Sequence, residues 1–149
     1  MRRIIRNKLY PMLCSVLRCA CMQSGLTSEQ AALAVKNGCE WPEMQQVTDE
    51  YILSEYFGIT AGKDDVTVYQ CPAGAVMSEI IVIRSDDPSA ALGVLEKRRT
   101  KAIERDALYP ESRRIAESSV VGVYGDYAYF IMGENAAQGE NVLLDALSQ

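Results

Sequence analysis

The stretch EIIVIR at residues 79–84 sets four aliphatic side chains in a row between two charged ones. Isoleucine and valine branch at Cβ, and this branching favours the extended backbone of a strand over a helix. A strand with one solvated face would alternate apolar and polar residues, whereas a near-continuous apolar run is typical of a strand in the middle of a sheet. We therefore predict a central strand at residues 79–84.

Three more strands are predicted around this one. Residues 65–69 are rich in β-branched and aromatic side chains, and a turn at residues 71–74 joins them to the central strand. Residues 120–124 and 127–132 are separated by two residues, the first of them glycine, which is typical of a β-hairpin. Strands joined by such short links pair antiparallel.

Helices are predicted for most of the remaining chain. Asp86 and Asp87 can cap a long helix, and Pro88 suits its first turn, where a missing N–H leaves no bond unmade. This helix should run to about Ala107, with apolar residues at helical spacing facing the sheet. Shorter helices are predicted, in chain order, over residues 29–35, 49–57, 112–116 and 141–147.

The predicted fold is a single α+β domain. It has about four antiparallel strands in ββα-ββα order, with helices packed on one face and two short helices before the first strand. A chain of 149 residues has room for one modest core, and we assign residues 22–149 to it.

The first 21 residues differ from this body in charge. They hold five of the 15 basic residues and none of the 20 acidic ones. A basic start, a mostly apolar run at residues 9–17 and small residues after it follow the order of a secretory leader. Cys21, ahead of Cys19, is the candidate for lipidation, which would place the protein outside the cytoplasm on a membrane. An amphipathic helix lying on a membrane or on the domain itself, with a cytoplasmic location, is the alternative.

The composition excludes several kinds of site. The chain has no histidine, which removes Ser-His-Asp and Cys-His nucleophile pairs, an imidazole base and histidine-ligated metals. The acidic body is unsuited to nucleic acid, which needs a basic face. The internal basic cluster at residues 97–105 lies on the predicted long helix among Glu96, Glu104 and Asp106, so we interpret it as a solvated, salt-bridged helix face. We expect no cofactor and no metal.

Five cysteines are present, and no pair has the C-x-x-C spacing of a zinc or redox site. Cys39 and Cys71 remain if the leader is removed. In an exported protein they could form a disulfide, or they could be small buried side chains.

Five short motifs follow one another along the chain: Tyr56-Phe57-Gly58-Ile59, Ser78-Glu79-Ile80, Lys97-Arg98-Arg99, Tyr109-Pro110 and Gly125-Asp126-Tyr127. Their order and spacing resemble the domain-of-unknown-function 4358 family over roughly residues 48–144. The resemblance implies an uncharacterised domain, largely from Gram-positive bacteria, that is extracytoplasmic and often lipid-anchored; it implies no activity.

Glu79 is the charged residue whose position is most informative. It shares a face of the central strand with Ile81 and Ile83, so its carboxylate should be half buried and needs a partner. Arg98 or Arg99, on the long helix above the sheet, could provide a two-point contact. We interpret Glu79 with Arg98 or Arg99 as a structural ion pair; the alternative is a cleft that binds a polar ligand.

These observations favour a non-catalytic domain at the cell envelope that binds another protein or an envelope component. A small-ligand or metal carrier is the alternative, with Glu79 and four aspartates as ligands (Asp64, Asp65, Asp86 and Asp87). A hydrolase would need two carboxylates, such as Glu79 with Asp126 or Glu134, but no spacing selects such a pair.

Overall fold

A computed structural model of the chain describes residues 25–72 and 76–149. The predicted leader at residues 1–21, including Cys21, lies outside the described residues, as does part of the predicted turn at 71–74. In the described part of the chain, no helix is both long enough and apolar enough to cross a membrane.

The core of the molecule is a five-stranded antiparallel sheet with the strand order β1-β2-β3-β5-β4. The central strand occupies the predicted residues, and its first five side chains are all buried. The strands are β1 (Gln45–Gln46), β2 (Asp65–Gln70), β3 (Glu79–Arg84), β4 (Val120–Tyr124) and β5 (Tyr127–Met132).

The prediction of four strands in ββα-ββα order is wrong because it omits β1. This strand lies before the second helix and pairs antiparallel with the outer side of β2, Gln45 opposite Gln70 and Gln46 opposite Tyr69. Both of its residues are exposed glutamines. They have neither the alternation nor the β-branching that marks a strand, and the ladder with β2 alone keeps them extended.

Five α-helices accompany the sheet in the described part of the chain. Thr27 caps the first of them in a capping box with Gln30. Asp87 caps the long helix as predicted, accepting a hydrogen bond from the backbone N–H of Ala90 at 3.0 Å. The helices are α1 (Ser28–Gly38), α2 (Glu50–Glu55), α3 (Pro88–Lys101), α4 (Pro110–Glu117) and α5 (Ala136–Leu147), and α3 continues into a π-helical turn over Ala102–Asp106.

The last helix begins five residues earlier than predicted. Gly139 lies inside it, and glycine is a poor helix former, so the sequence pattern weakens there. A Cβ at Gly139 would lie 3.0 Å from the ring of Trp41 and 3.2 Å from the side chain of Val35. Close packing therefore requires a glycine at position 139, and this glycine weakens the sequence pattern that would otherwise predict the start of α5.

The prediction that helices cover one face of the sheet is also wrong. Ile80 and Val82 pack with α1 and α5 on one face, which we call the α1/α5 face. Ile81 and Ile83 pack with α3 and α4 on the other, the α3/α4 face. Successive side chains of a strand point to opposite faces, so a continuous apolar run needs cover on both.

Candidate functional site

Arg98 forms the centre of a buried polar cluster on the α3/α4 face. Its side chain is fully buried and holds Glu79 of β3 in a two-point contact. Nε donates to Oε2 of Glu79 at 3.0 Å, and Nη2 donates to Oε1 at 2.5 Å. Glu79 itself is 2% exposed. The planar guanidinium matches the carboxylate in this geometry, which a lysine could not reproduce.

Two further residues complete the cluster. Nη1 of Arg98 donates to Oδ2 of Asp106 at 2.6 Å, and Nη2 donates to the hydroxyl of Tyr56 at 3.1 Å. The Tyr56 hydroxyl in turn donates to Oδ2 of Asp106 at 3.2 Å. All three guanidinium nitrogens are therefore engaged by partners from β3, from the residue after α2 and from the π-helical turn.

The π-helical turn explains how Asp106 reaches Arg98. An α-helix rotates by about 100° per residue, so a residue eight positions after Arg98 would point about 80° away from it. The wider turn over Ala102–Asp106 takes up this rotation and returns Asp106 to the face of Arg98. The side chain of Asp106 is 21% exposed and forms the solvent edge of the cluster.

Aromatic rings cover the rest of the guanidinium. The Cζ atom of Arg98 lies 4.6 Å from the ring centroid of Tyr56 and 5.5 Å from that of Phe57. Lys101 lies over the ring of Tyr56 at 4.3 Å and donates to the Tyr56 carbonyl at 2.9 Å. These cation–π contacts remove the charge of Arg98 from water without leaving it unpaired.

Burial and pairing act in opposite directions on the ionisable groups. Burial raises the pKa of Glu79, while the hydrogen bonds and charge of Arg98 oppose that rise. Burial alone would lower the pKa of Arg98, but the hydrogen bonds and charge of Glu79 outweigh it and raise that pKa. Burial also raises the pKa of Tyr56. Charge-assisted hydrogen bonds thus join Glu79, Arg98, Tyr56 and Asp106 into one network.

The structure separates the two candidate arginines. Of the two arginines, Arg98 contacts Glu79, whereas Arg99 donates to the hydroxyl of Ser119 at 3.2 Å and to the carbonyl of Glu117 at 2.9 Å. Arg98 is also buried, so the basic cluster at residues 97–105 is not solvated throughout. The sequence interpretation missed Tyr56 and Asp106 as members of the network, because no periodic pattern relates either to Arg98.

Three of the carboxylates considered as ligands or as catalytic groups have other partners. Asp65 accepts hydrogen bonds from the backbone N–H and the hydroxyl of Ser28 at 2.8 and 2.7 Å. Asp126 pairs with Arg84 at 3.8 Å, and Glu134 pairs with Arg114. Across residues 25–72 and 76–149, no group of three or more Cys, Asp or Glu is placed to hold a metal ion.

Cys39 and Cys71 are both half buried and are not joined to each other by a disulfide. Burial raises the pKa of the Cys39 thiol.

A family model matches more than half of the chain. Residues 39–133 match the family described as Domain of unknown function (DUF4358). The match starts and ends earlier than residues 48–144, and it includes the whole Arg98 cluster and all five strands. No curated protein and no solved structure matches the chain. Because the match covers well over half of the 149 residues, the chain belongs to the DUF4358 family.

Proposed function

We propose that this protein is a non-catalytic binding domain of the cell envelope, exported by residues 1–21 and anchored through a lipid on Cys21. Its partner is another protein or a component of the envelope. The basic leader before an acidic body supports export, and the lipid anchor rests on the position of Cys21 just after the apolar run.

One observation carries the non-catalytic part of the proposal: the charged groups of Glu79 and Arg98 are buried and bonded within the chain. Both oxygens of Glu79 accept from Arg98, and every guanidinium nitrogen is used within the chain. A catalytic acid or a ligand-binding arginine needs access to its substrate. With Glu79 and Arg98 each 2% exposed, the cluster is suited to holding β3, α3 and Tyr56 together.

Export and anchoring are tested in the native host. We expect the tagged protein in the membrane fraction, cut immediately before Cys21 and carrying a lipid on that residue. A Cys21→Ser variant should lose incorporation of a labelled fatty acid, whereas a Cys39→Ser variant should keep it. Recovery of the wild type in the soluble cytoplasmic fraction at its uncut mass would contradict export.

A small-ligand carrier is the second candidate, because a surface depression of about 380 Å³ is lined by four aspartates together with Lys63 and Arg84. A thermal-shift screen of divalent cations and of small cationic metabolites tests it. A rise in melting temperature that is lost in an Asp64→Asn, Asp86→Asn variant would favour the carrier. The absence of any rise in melting temperature would count against the carrier and favour the non-catalytic binding domain. The four aspartates are Asp64, Asp65, Asp86 and Asp126.

A further inference from the structure

The two edges of the sheet differ in a way that points to an interaction surface. At one edge, β1 has only two residues, both exposed glutamines. At the other edge, β4 has the sequence VVGVY, with no charged residue and no proline. Natural edge strands are usually short, charged or interrupted by proline, because an open apolar edge recruits other strands. The β4 edge carries none of these protections.

The hairpin register shows which backbone groups of β4 are open. A two-residue turn joins Tyr124 to Tyr127, and Gly125 takes φ +57° in it. Such a turn makes this flanking pair hydrogen-bonded, so the pairing groups alternate along the strand and those of Val121 and Val123 point away from β5. Within residues 25–72 and 76–149, no backbone hydrogen bond is made to these outward groups.

The side chains of β4 divide between the two faces of the sheet. Val121 packs against the α3/α4 face, and Val120 against the α1/α5 face. Val123 is 40% exposed and Tyr124 is 39% exposed. Gly122 lies opposite Tyr129, whose ring covers it so closely that a Cβ there would lie 2.5 Å from the Tyr129 hydroxyl. The strand thus offers a smooth apolar strip along an open backbone.

We propose that the β4 edge binds the β4 edge of a second copy of this chain, forming a ten-stranded sheet across a two-fold axis at Gly122. Val121 of one copy then lies opposite Val123 of the other. The outward N–H and C=O groups of these two residues in each copy form four hydrogen bonds between the copies. This inference goes beyond the proposed function and does not depend on where the domain resides.

The uncharged strip allows a second copy to approach in this register. The chain has a net charge of −5, so two copies repel unless their acidic residues are kept apart. None of the five residues of β4 is charged, so the paired strands bring no carboxylate against another across the axis. Valine pairs and a Val120–Tyr124 pair lie across the axis, and such β-branched and aromatic pairs stabilise antiparallel strands.

The size of the contact sets its strength. Five residues span about 17 Å, which is short for an interface when a stable one buries about 800 Å² on each partner. Interfaces of this class are weak and transient, so we expect dissociation constants of roughly 10–1,000 μM. Because the opposite edge is short and polar, association stops at the dimer and does not continue into a fibre.

The test combines sedimentation with hydrogen exchange on the full 149-residue chain. We expect a monomer–dimer equilibrium, together with exchange at the Val121 and Val123 amides that slows several-fold as protein concentration rises. The amides of Val120, Gly122 and Tyr124 face β5 and should be protected at every concentration.

Three variants separate this edge from other surfaces. Val123→Lys places two like-charged ammonium groups at the axis and should weaken dimerisation at least tenfold; Val121→Pro removes one outward N–H at a position that an edge strand tolerates. Gln46→Lys makes a comparable change on the β1 edge and should dimerise like the wild type. Circular dichroism and melting temperature verify that each variant is folded. If Val121→Pro does not fold, Val123→Lys alone is sufficient for the test.

Three outcomes would overturn the proposal. One is a monomer at all concentrations up to about 1 mM, which is the upper end of the dissociation constants expected for this interface. Another is a dimer that Val123→Lys does not weaken, or whose formation leaves exchange at Val121 and Val123 unchanged, as association through the leader would. The third is protection of these two amides only after another protein is added, which would make that protein the occupant of the edge.

Discussion

Arg98 is the residue on which the interior of the α3/α4 face depends. Its charge is taken from water completely and is compensated by Glu79, Asp106 and the ring of Tyr56. A buried ion pair of this kind often adds little net stability compared with apolar residues of the same shape, yet removing one partner leaves a buried charge alone. The arrangement therefore enforces a particular packing of α3 on β3 more than it adds to stability.

Replacing Arg98 with methionine should destabilise the protein by about 3–5 kcal/mol, because Glu79 would remain buried without its partner. The double variant Glu79→Met, Arg98→Met should recover most of that loss, since neither charge remains. Chemical denaturation followed by circular dichroism measures both values. Arg99→Met is the matched control and should cost about 1 kcal/mol, as expected for the loss of surface hydrogen bonds. Equal costs for Arg98→Met and Arg99→Met would contradict a central role for Arg98.

Tyr129 makes the stability sensitive to alkaline pH. Its hydroxyl donates to Oε1 of Glu140 at 2.7 Å, and its pKa is raised by burial and then by the hydrogen bond and charge of Glu140. An unfolded tyrosine loses its proton near pH 10, while the folded one keeps it, so the folded state binds the additional proton. The contribution is present in full below about pH 10 and is lost as pH rises from there towards the folded pKa.

Denaturation at a series of pH values from about 8 to 11 should therefore show stability falling above pH 10. Tyr129→Phe should be less stable at neutral pH by about 1 kcal/mol, and its stability should fall less steeply with pH. A profile as steep in Tyr129→Phe as in the wild type would show that other groups control alkaline unfolding.

At the residue scale, the sequence predicts the ion pair between Glu79 and an arginine. It does not predict that Tyr56 and Asp106 join that pair in a network. A glutamate on an apolar strand requires a cation, and residues 97–99 offered two arginines for the role. Choosing between Arg98 and Arg99 needs the rotation of α3 about its axis, which packing decides. Tyr56 and Asp106 join through a loop conformation and a π-helical turn, and neither leaves a periodic signal in the sequence.

At the scale of elements, tertiary contacts decide the features that the sequence pattern misses. The strand β1 exists only through its ladder with β2, and the first turn of α5 forms although Gly139 follows it. Strong local signals, such as the Asp87 cap, the hairpin around Gly125 and the apolar run of β3, predict their elements within one or two residues.

Two glycines in regular elements should respond to alanine in opposite ways. Gly93 lies inside α3 with open space where a Cβ would be added, so Gly93→Ala should stabilise the protein by about 0.5–1 kcal/mol. Gly122 in β4 is covered by Tyr129, so Gly122→Ala should destabilise it by about 1–3 kcal/mol through overpacking. Melting temperatures of the two variants measure the contrast, and a loss of stability in Gly93→Ala would contradict it.

At the scale of the whole molecule, the sheet is a middle layer between two helical layers. Leu143 of α5 and Leu95 of α3 are both fully buried, one on each face of the sheet. The sequence predicts the sheet but places all helices on one side. With helices on one face only, every second residue of the apolar run in β3 would face water. In β3, both sets of alternate residues are apolar. This pattern indicates a sheet that is covered by helices on both faces.

Truncating either layer should have a similar cost. Leu95→Ala and Leu143→Ala each remove a buried side chain, so each should lower the free energy of unfolding by about 2–5 kcal/mol. Chemical denaturation of the two variants tests this expectation. If one substitution were nearly neutral, the corresponding helix would not be part of a cooperative core.

Trp41 gives the molecule a built-in optical reporter. The chain has one tryptophan, whose indole N–H donates to the carbonyl of Val35 at 3.0 Å and whose ring lies against Gly133 and Gly139. Its emission therefore reports on the junction where α1, α5 and the end of β5 meet. Trp41 fluorescence monitors the layer of α1 and α5, whereas the environment of Tyr56 monitors the layer of α3 and α4. If the two signals changed at different stages of unfolding, the two helical layers would detach one after the other.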